Sequence, residues 1–391
     1  MKNWLVSIVF ILLTASSAAI MLMPRDEASF EAENRSAAEL PNVSFTDILS
    51  GKFASDFEKF VDDNISFRSE IMDLSEYVNS YKGITPPDGE IIYTQKDIGT
   101  QTVKKASLLL LDKQIKEVFT KDEEAELAYI NCINSIAEAA PPDVNIYSMI
   151  VPTSLEFTEA VYRNIQSSQK KTIDYIYESL DPRIKKVDAY SVLQNHSDEY
   201  IYFGSDHHWT MLGSYYGYSA FMQAQGVAPA SRESFQKNTI ENFYGHLSAE
   251  VSKSKIEADT IEWWDTEEVN EISTQMYGFD NGNVIEYQSP LLDKKKTDYS
   301  LFLASDHPMA VITNNRILND RTLVIIKDSY ANVFVPWLVN NYRTIVMLDP
   351  RGFEGSVNDV LLQYNANDLL IMNYIFTTTF TDYSDLLEEM K

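Results

Sequence analysis

Short apolar runs alternate with amphipathic segments through the carboxyl-terminal two thirds of this chain, and the alternation leaves few folds open. The apolar run NIYSMIVP (145–152) is followed by the long amphipathic segment FTEAVYRNIQSSQKKTIDYIYESL and then by the strand candidate RIKKVDAY. The spacing in the middle segment predicts a helix with an inward face made of Phe157, Val161, Ile165, Ile173 and Ile176. Strand, helix and strand in succession are typical of a parallel sheet.

The same rhythm returns near the carboxyl end. TLVII and TIVML are buried-strand patterns on either side of the helical YANVFVPWLVNN, and DLLIMNY near residue 370 adds another strand. Residues 240–315, between the two blocks, are rich in turns and aromatic side chains, which indicates an insertion of strands and loops over the sheet. Together these patterns predict an α/β fold with a mostly parallel sheet flanked by helices.

The amino terminus is uncharged and apolar from Trp4 to Met23. About 20 apolar residues are enough to cross a bilayer as one helix, although a shorter apolar core followed by small residues also suits a cleavable signal peptide. The apolar run that resumes as IMLM favours an uncleaved anchor. We therefore expect an anchor or signal peptide over 1–23, which places the rest on the extracytoplasmic face of the cell membrane or in the medium, and an acidic spacer over 24–43.

The charge and the cysteine count exclude several functions. The net charge is −26, from 32 basic and 58 acidic side chains, so the chain should repel nucleic acid and anionic membrane surfaces. Nucleic acid is therefore not an expected partner. Cys132 is the only cysteine, which rules out an intramolecular disulfide and a cysteine-based zinc cluster.

The segment GSDHHWT (204–210) can support acid–base chemistry. In an extended segment, Asp206 and His208 point to one side while His207 faces the other. An aspartate that accepts a hydrogen bond from one ring nitrogen leaves the other nitrogen able to take a proton from a nucleophile. Thr210 is expected to cap the following helix. Adjacent histidines also suggest a metal, but no third clustered histidine is visible, and we expect no metal or cofactor.

The best candidate nucleophile is Ser329 in IIKDSYANV. It follows an apolar strand and precedes a helix, at the edge of the sheet where open α/β folds place their ligands, and the N–H groups of the helix start could stabilise an oxyanion. A serine in this position is also a common helix cap, which is the simpler alternative. His307, in SDHP, is an alternative base, although Pro308 and the polar turn before it favour a loop histidine.

Taken together, YIYFGSDHHWTMLGSYY and LVIIKDSYANVFVPWLVNNYRTIVMLDPRGF resemble the DHHW protein family of bacterial cell envelopes. That family is similar to the alginate O-acetyltransferase group, whose members have an SGNH-hydrolase-like domain. The resemblance runs from FEKFVDDNISFRSE near residue 60 almost to the carboxyl end. It implies one SGNH-like domain over 44–391. Within that domain, the spacing of Phe53, Phe57 and Phe60 on one helical face predicts a helical section over 44–82.

The resemblance also implies roles for particular residues. Ser329 would be the nucleophile, His208 the general base and Asp206 the group that orients it. The candidates for contacting substrate are His207, Trp209, Tyr330, Asn332 and Arg351, with a surface ion pair as the alternative for Arg351. Two departures from the wider SGNH pattern stand out: Lys327 replaces the glycine of a Gly-Asp-Ser block, and no oxyanion asparagine can be placed.

The implied activity is that of an extracytoplasmic serine O-acetyltransferase, which would modify a secreted or cell-wall polysaccharide through an acetyl-serine. Because acetyl-CoA is not expected outside the cytoplasm, the implied partner is a membrane-bound O-acyltransferase (MBOAT) that supplies the acetyl group. Two alternatives stay open: a carbohydrate esterase with the same residues, and a membrane-anchored protein that binds or assembles polysaccharide without catalysis.

Overall fold

The computed structural model describes residues 53, 57, 60, 89–98, 101–266, 272–280 and 283–391. The predicted anchor or signal peptide over 1–23 and the spacer over 24–43 lie outside them. Among the described residues, no helix combines the length and apolar character needed to span a bilayer. The chain divides into two compact units, one of Met1–Pro86 with Tyr244–Glu257 and one of Pro87–Phe243 with Ala258–Lys391.

Little of the first unit is described. Phe53, Phe57 and Phe60 are helical, and successive ring centroids are 5.9 and 6.1 Å apart, which fits the predicted helical face. The rest of the predicted helical section over 44–82 lies outside the described residues. The segment Tyr244–Glu257 contains two short 3-10 helices, His246–Glu250 and Lys253–Lys255.

The second unit is a mixed α/β domain built on a large central sheet. Its elements are the strands β1 (Glu90–Ile98), β2 (Gln101–Leu111), β3 (Gln114–Glu117), β4 (Asn145–Val151), β5 (Ile184–Lys186), β6 (Gln236–Phe243), β7 (Asp259–Asp265), β8 (Ile272–Asp280), β9 (Asn283–Gln288), β10 (Met309–Asn314), β11 (Thr322–Lys327), β12 (Thr344–Leu348) and β13 (Asp368–Tyr374). The helices are α1 (Glu123–Ala139), α2 (Ala160–Arg163), α3 (Gln169–Ser179), α4 (Ala189–Asn195), α5 (Met211–Ala224), α6 (Tyr330–Leu338), α7 (Val357–Gln363) and α8 (Thr381–Glu389).

Within the described residues the central sheet has the order β5-β4-β13-β11-β12-β10-β8-β9. The strands from β5 to β12 are parallel, and β10, β8 and β9 continue the sheet in antiparallel fashion. The parallel half confirms the predicted rhythm, because β11 is buried along its whole length and so reads as an unbroken apolar run. Helices cover both faces, with one apolar cluster on each.

The predicted insertion differs from expectation in its placement. Strands β8, β9 and β10 lie within 240–315, but they extend the central sheet instead of covering it. Strands β6 and β7 form a separate two-stranded sheet. A small antiparallel sheet of β1, β2 and β3 precedes the parallel strands.

The single long helix predicted after residue 156 is wrong. The chain forms α2, breaks, and starts again as α3 because the carboxylate of Glu156 accepts hydrogen bonds from the N–H groups of Gln169 and Lys170, each at 3.2 Å. A helix that begins at Gln169 has first-turn N–H groups that need such acceptors. The break turns Val161 outward, and 68% of its surface is exposed.

Candidate active site

The base loop, residues 204–208, is the tip of a narrow hairpin. Tyr202 and Trp209 form an antiparallel bridge, and the N–H of Phe203 donates to the carbonyl of His208 at 3.2 Å. Asp259 at the start of β7 holds the tip, because its carboxylate accepts hydrogen bonds from the N–H groups of Gly204 at 2.8 Å and Ser205 at 2.7 Å. The hydroxyl of Thr210 accepts from the Gly213 N–H at 3.2 Å, so the predicted cap of α5 is confirmed.

The nucleophile turn, residues 327–330, joins the carboxyl end of β11 to the first turn of α6. The side chain of Ser329 makes no capping hydrogen bond, and Asp328 takes that part by accepting from the Tyr330 N–H at 3.0 Å. The simpler alternative, that Ser329 only caps the helix, is therefore wrong. Asp328 is buried and also accepts from the Tyr374 N–H at 2.8 Å, and burial raises the pKa of its carboxyl.

The structure brings Asp206, His208 and Ser329 together in one hydrogen-bonded chain. The Nδ1 atom of His208 lies 2.6 Å from Oδ1 of Asp206, and its Nε2 atom lies 2.7 Å from Oγ of Ser329. An ionised carboxylate can only accept, so Nδ1 carries the proton and Nε2 is free to accept from the serine hydroxyl. Asp206 and His208 are buried, whereas Ser329 is partly exposed. The serine, which would meet a substrate, is therefore the accessible member of the three.

The residues predicted to contact substrate lie in different environments. His207 is partly exposed, with 21% of its side chain accessible, and its ring centroid is 3.9 Å from that of His208. Trp209 and Tyr330 are fully buried, and the indole N–H of Trp209 donates to the Tyr330 carbonyl at 2.9 Å. Both side chains therefore pack beneath the site, and their contact with substrate stays a prediction.

Asn332 and Arg351 belong to an ion cluster behind the nucleophile turn. Lys327 is fully buried, and its Nζ lies 2.7 Å from Asp306 and 2.8 Å from Asp349. Asn332 is buried and donates to Asp306 at 2.9 Å, and its contact with substrate stays a prediction. Arg351 pairs with Asp306 at 2.7 Å and also with Asp349, which is the ion-pair alternative, although 46% of its side chain is exposed.

The two aspartates of the cluster stay ionised because cations face them. Burial by itself opposes the charged form, but Lys327 and Arg351 outweigh it and lower the pKa of Asp306 and of Asp349 below the ordinary value. The same attraction outweighs burial of Lys327 and raises the pKa of its ammonium. Lys327, where the wider pattern has a glycine, is thus the centre of a paired network.

His307, the alternative base, is bound elsewhere. Its Nδ1 lies 2.7 Å from the Tyr287 hydroxyl and its Nε2 lies 2.7 Å from the Leu303 carbonyl. The carbonyl can only accept, so Nε2 carries a proton, and in the neutral ring Nδ1 accepts from the Tyr287 hydroxyl. Burial lowers the pKa of His307, which agrees with that state.

The ligand atoms of Asp206, His207 and His208 lie within 4.8 Å of one another, a spacing that a metal could use. Both ring nitrogens of His208 are already engaged, by Asp206 and by Ser329. A metal bound through His208 would have to displace one of these contacts. The geometry therefore favours proton transfer at this imidazole over metal binding.

Two residues near the site were not found from the sequence. Tyr299 stacks on His208, and its hydroxyl donates to the Ser329 carbonyl at 3.0 Å. Glu117 on β3 has a buried Oε2 without a hydrogen-bond partner among the described residues, and burial, together with the charge of Asp206, raises its pKa to about 8. Neither residue stands in a sequence motif, because each is brought to the site only by the tertiary fold.

The chain was compared with known families and structures. The model of the DHHW protein family matches residues 97–348, more than half of the chain. A search of curated proteins found no match. A DHHW family protein from Eubacterium siraeum is 23% identical with a TM-score of 0.63, over 78% of this chain and 99% of that one.

Bacillus cereus PatB1, solved with a sulfonyl adduct, is 20% identical with a TM-score of 0.59, over 73% of this chain and 97% of that one. The O-acetyltransferase domain of Pseudomonas putida AlgJ is more distant, at 12% identity and a TM-score of 0.42 over 72% and 99%. At this identity the likeness to PatB1 and to the Eubacterium siraeum protein shows a shared fold. The extent of the family match shows that the chain belongs to the DHHW protein family.

Proposed function

We propose that this protein is a serine O-acetyltransferase that acts on a polysaccharide outside the cytoplasm. The observation that carries the proposal is the 2.7 Å contact between Nε2 of His208 and Oγ of Ser329, with Asp206 on the opposite ring nitrogen. A buried base and orienting carboxylate behind a partly exposed hydroxyl are the parts needed to activate a serine. The resemblance to the alginate O-acetyltransferase group, noted from the two sequence blocks, supports the choice of acyl transfer to a sugar.

In the first half-reaction, Nε2 of His208 takes the proton of Ser329 as Oγ attacks the carbonyl carbon of an acetyl donor. The tetrahedral intermediate collapses when the bond to the donor's leaving oxygen breaks, and the imidazolium returns the proton to that oxygen. In the second half-reaction, a sugar hydroxyl loses its proton to Nε2 and attacks the acetyl-serine. Collapse then gives the O-acetyl sugar, and the proton passes back to Oγ.

The developing oxyanion needs N–H donors. The N–H groups of Tyr330, Ala331 and Asn332 already donate to Asp328 or Ser329, whereas the N–H of Ser329 has no acceptor among the described residues. Ser329 N–H is therefore the donor we assign to the oxyanion hole. A partner of the MBOAT class is proposed as the source of the acetyl group, and the membrane as the place where the two meet.

The test compares the full chain with Ser329→Ala, using Ser356→Ala as a matched control. Ser356 also stands before a helix without a capping hydrogen bond, but at α7. Each protein is given 4-nitrophenyl acetate with and without an oligosaccharide acceptor, and an arylsulfonyl fluoride serves as the serine probe. We expect the wild type and Ser356→Ala to be labelled at Ser329 and to acetylate the oligosaccharide. Ser329→Ala should do neither.

Other outcomes separate the alternatives. If free acetate accumulates while no oligosaccharide tested becomes acetylated, the protein is an esterase in which water attacks the acetyl-serine. If Ser329→Ala is labelled and turns over like the wild type, the serine mechanism is wrong. A protein that binds polysaccharide but neither reacts with the probe nor releases acetate would have a non-catalytic role.

A further inference from the structure

The imidazole of His208 lies between two other rings. The Tyr299 ring is nearly parallel to it, at a centroid distance of 3.8 Å and an angle of 11°, and the His207 ring is 3.9 Å away at 35°. A flat ring leaves room for one neighbour on each face at these distances, so Tyr299 and His207 occupy opposite faces. Asp206 fixes the direction of the imidazole within its plane, and the two rings fix the plane itself.

The hydroxyl of Tyr299 reaches the helix that follows the nucleophile. It donates to the Ser329 carbonyl at 3.0 Å. The Ser329 carbonyl stands at the start of α6, so this hydrogen bond ties the hydroxyl to the first turn of that helix. Burial, and then the charges of nearby aspartates, raise the pKa of Tyr299 well above its ordinary value, so the hydroxyl remains a donor.

We propose that Tyr299 is a positioning residue that sets the distance between His208 and Ser329, because one side chain holds the plane of the base and the first turn behind the nucleophile. The inference rests on the proposed function and adds to it. His208 and Ser329 are 121 positions apart and belong to separate elements, so their contact needs such a link. Misplacement of reacting groups by about 1 Å costs on the order of 100-fold in rate.

The test uses three variants of the full chain. Tyr299→Phe keeps the stacked ring and loses the hydroxyl, and Tyr299→Leu loses both. Tyr215→Phe is the matched control, since its hydroxyl donates to the Ala230 carbonyl at 3.2 Å, outside the site. Turnover of 4-nitrophenyl acetate is measured for each, with kcat expressed per active site titrated by the arylsulfonyl fluoride, so that unfolded molecules do not count.

We expect kcat to fall about 5- to 10-fold in Tyr299→Phe, as for one lost hydrogen bond, and about 100-fold in Tyr299→Leu. The KM should change less than about 3-fold, because the change affects alignment and not binding. Tyr215→Phe should keep the kcat of the wild type.

The outcomes for the two proposals can be told apart. If Ser329→Ala is inactive while both Tyr299 variants keep the wild-type kcat per titrated site, the positioning inference is overturned and the proposed function stands. If Ser329→Ala retains turnover, the proposed function itself fails. Should Tyr299→Leu not fold, Tyr299→Phe decides alone, with a wild-type kcat counting against the inference and a reduced one for it.

Discussion

The nucleophile turn and the base loop meet at one hydrogen bond, yet they are held in place by different interactions. The turn follows β11 in the middle of the parallel sheet, and the charges of Lys327, Asp306 and Asp349 meet behind it. The base loop is the tip of a hairpin outside the central sheet, held by the carboxylate of Asp259 and by packing of Trp209.

The two regions should therefore respond differently to substitution. A buried ion cluster is stable only while its charges balance, since removing one partner leaves the others desolvated and unpaired. Removal of packing contacts, or of hydrogen bonds to a single carboxylate, costs less free energy of unfolding. We therefore expect single substitutions on the nucleophile side to lower the free energy of unfolding more than single substitutions on the base side.

Removal of Lys327 should have the largest effect. Lys327→Met leaves Asp306 and Asp349 with Arg351 as their remaining partner in the cluster, and breaking a buried pair in this way costs about 3–5 kcal/mol. The free energy of unfolding, measured by chemical denaturation, should fall by that amount. Lys186→Met, at an exposed position on β5, is the control and should be close to neutral. Equal stability of the two variants would show that the ion cluster does not stabilise the turn.

The Asp259 carboxylate should matter less. Besides Gly204 and Ser205, it accepts from the Tyr200 hydroxyl at 2.6 Å. Asp259→Asn turns one acceptor into a donor that faces other donors, and we expect a loss of about 2 kcal/mol, as for hydrogen bonds to a charged group. Thermal unfolding and turnover of 4-nitrophenyl acetate should both show the change, whereas Asp198→Asn on the exposed surface should not. A variant that keeps full activity would show that the base loop does not need this anchor.

The two regions also differ in how far the sequence predicted them. The strands of the parallel half were found because both faces of the sheet are covered, so that β11 and β12 are uninterrupted apolar runs. Strand β8, ISTQMYGFD, has no such run, since it lies in the antiparallel half and is only partly buried. The break between α2 and α3 could not be predicted either, because it depends on the tertiary contact of Glu156 with Gln169.

At the site, the spacing of Asp206 and His208 placed both side chains together, and the strand-to-helix junction marked Ser329. Their proximity across the chain came from the family resemblance and not from any local pattern. Tyr299 had no local signal, because its contact with His208 exists only once the segment after β9 has returned to the site. The residues that could not be predicted are those that reach the site only through the tertiary fold.

Overpacking beneath the base loop should give a smaller loss. A Cβ atom on Gly217 of α5 would lie 2.6 Å from the Trp209 ring, closer than such atoms approach. Gly217→Ala should push Trp209, and the histidine beside it in the chain, out of place at a cost of about 1–2 kcal/mol, together with a reduced kcat. Gly278→Ala is the control, since its Cβ would have 3.9 Å to the nearest atom. If both alanine variants unfold alike, Trp209 is not tightly held.

The last prediction uses pH to separate the two sides. Because the pKa of Glu117 is raised to about 8, the folded state holds its proton more tightly than the unfolded chain, and this carboxyl weakens the fold as pH rises from about 4.5 to about 8. Asp306 and Asp349 have lowered pKa values, so their contribution is present at neutral pH and is lost as the solution becomes acidic.

Glu117→Gln should therefore melt like the wild type near pH 5 and at a higher temperature than the wild type near pH 8, while Glu138→Gln, which is exposed, should follow the wild type throughout. Thermal melts across this range measure the difference. A constant gap between Glu117→Gln and the wild type at all pH values would show that the Glu117 carboxyl is already ionised in the folded protein. The base side would then carry a second buried negative charge beside Asp206, and the contrast with the paired charges of the nucleophile side would be weaker.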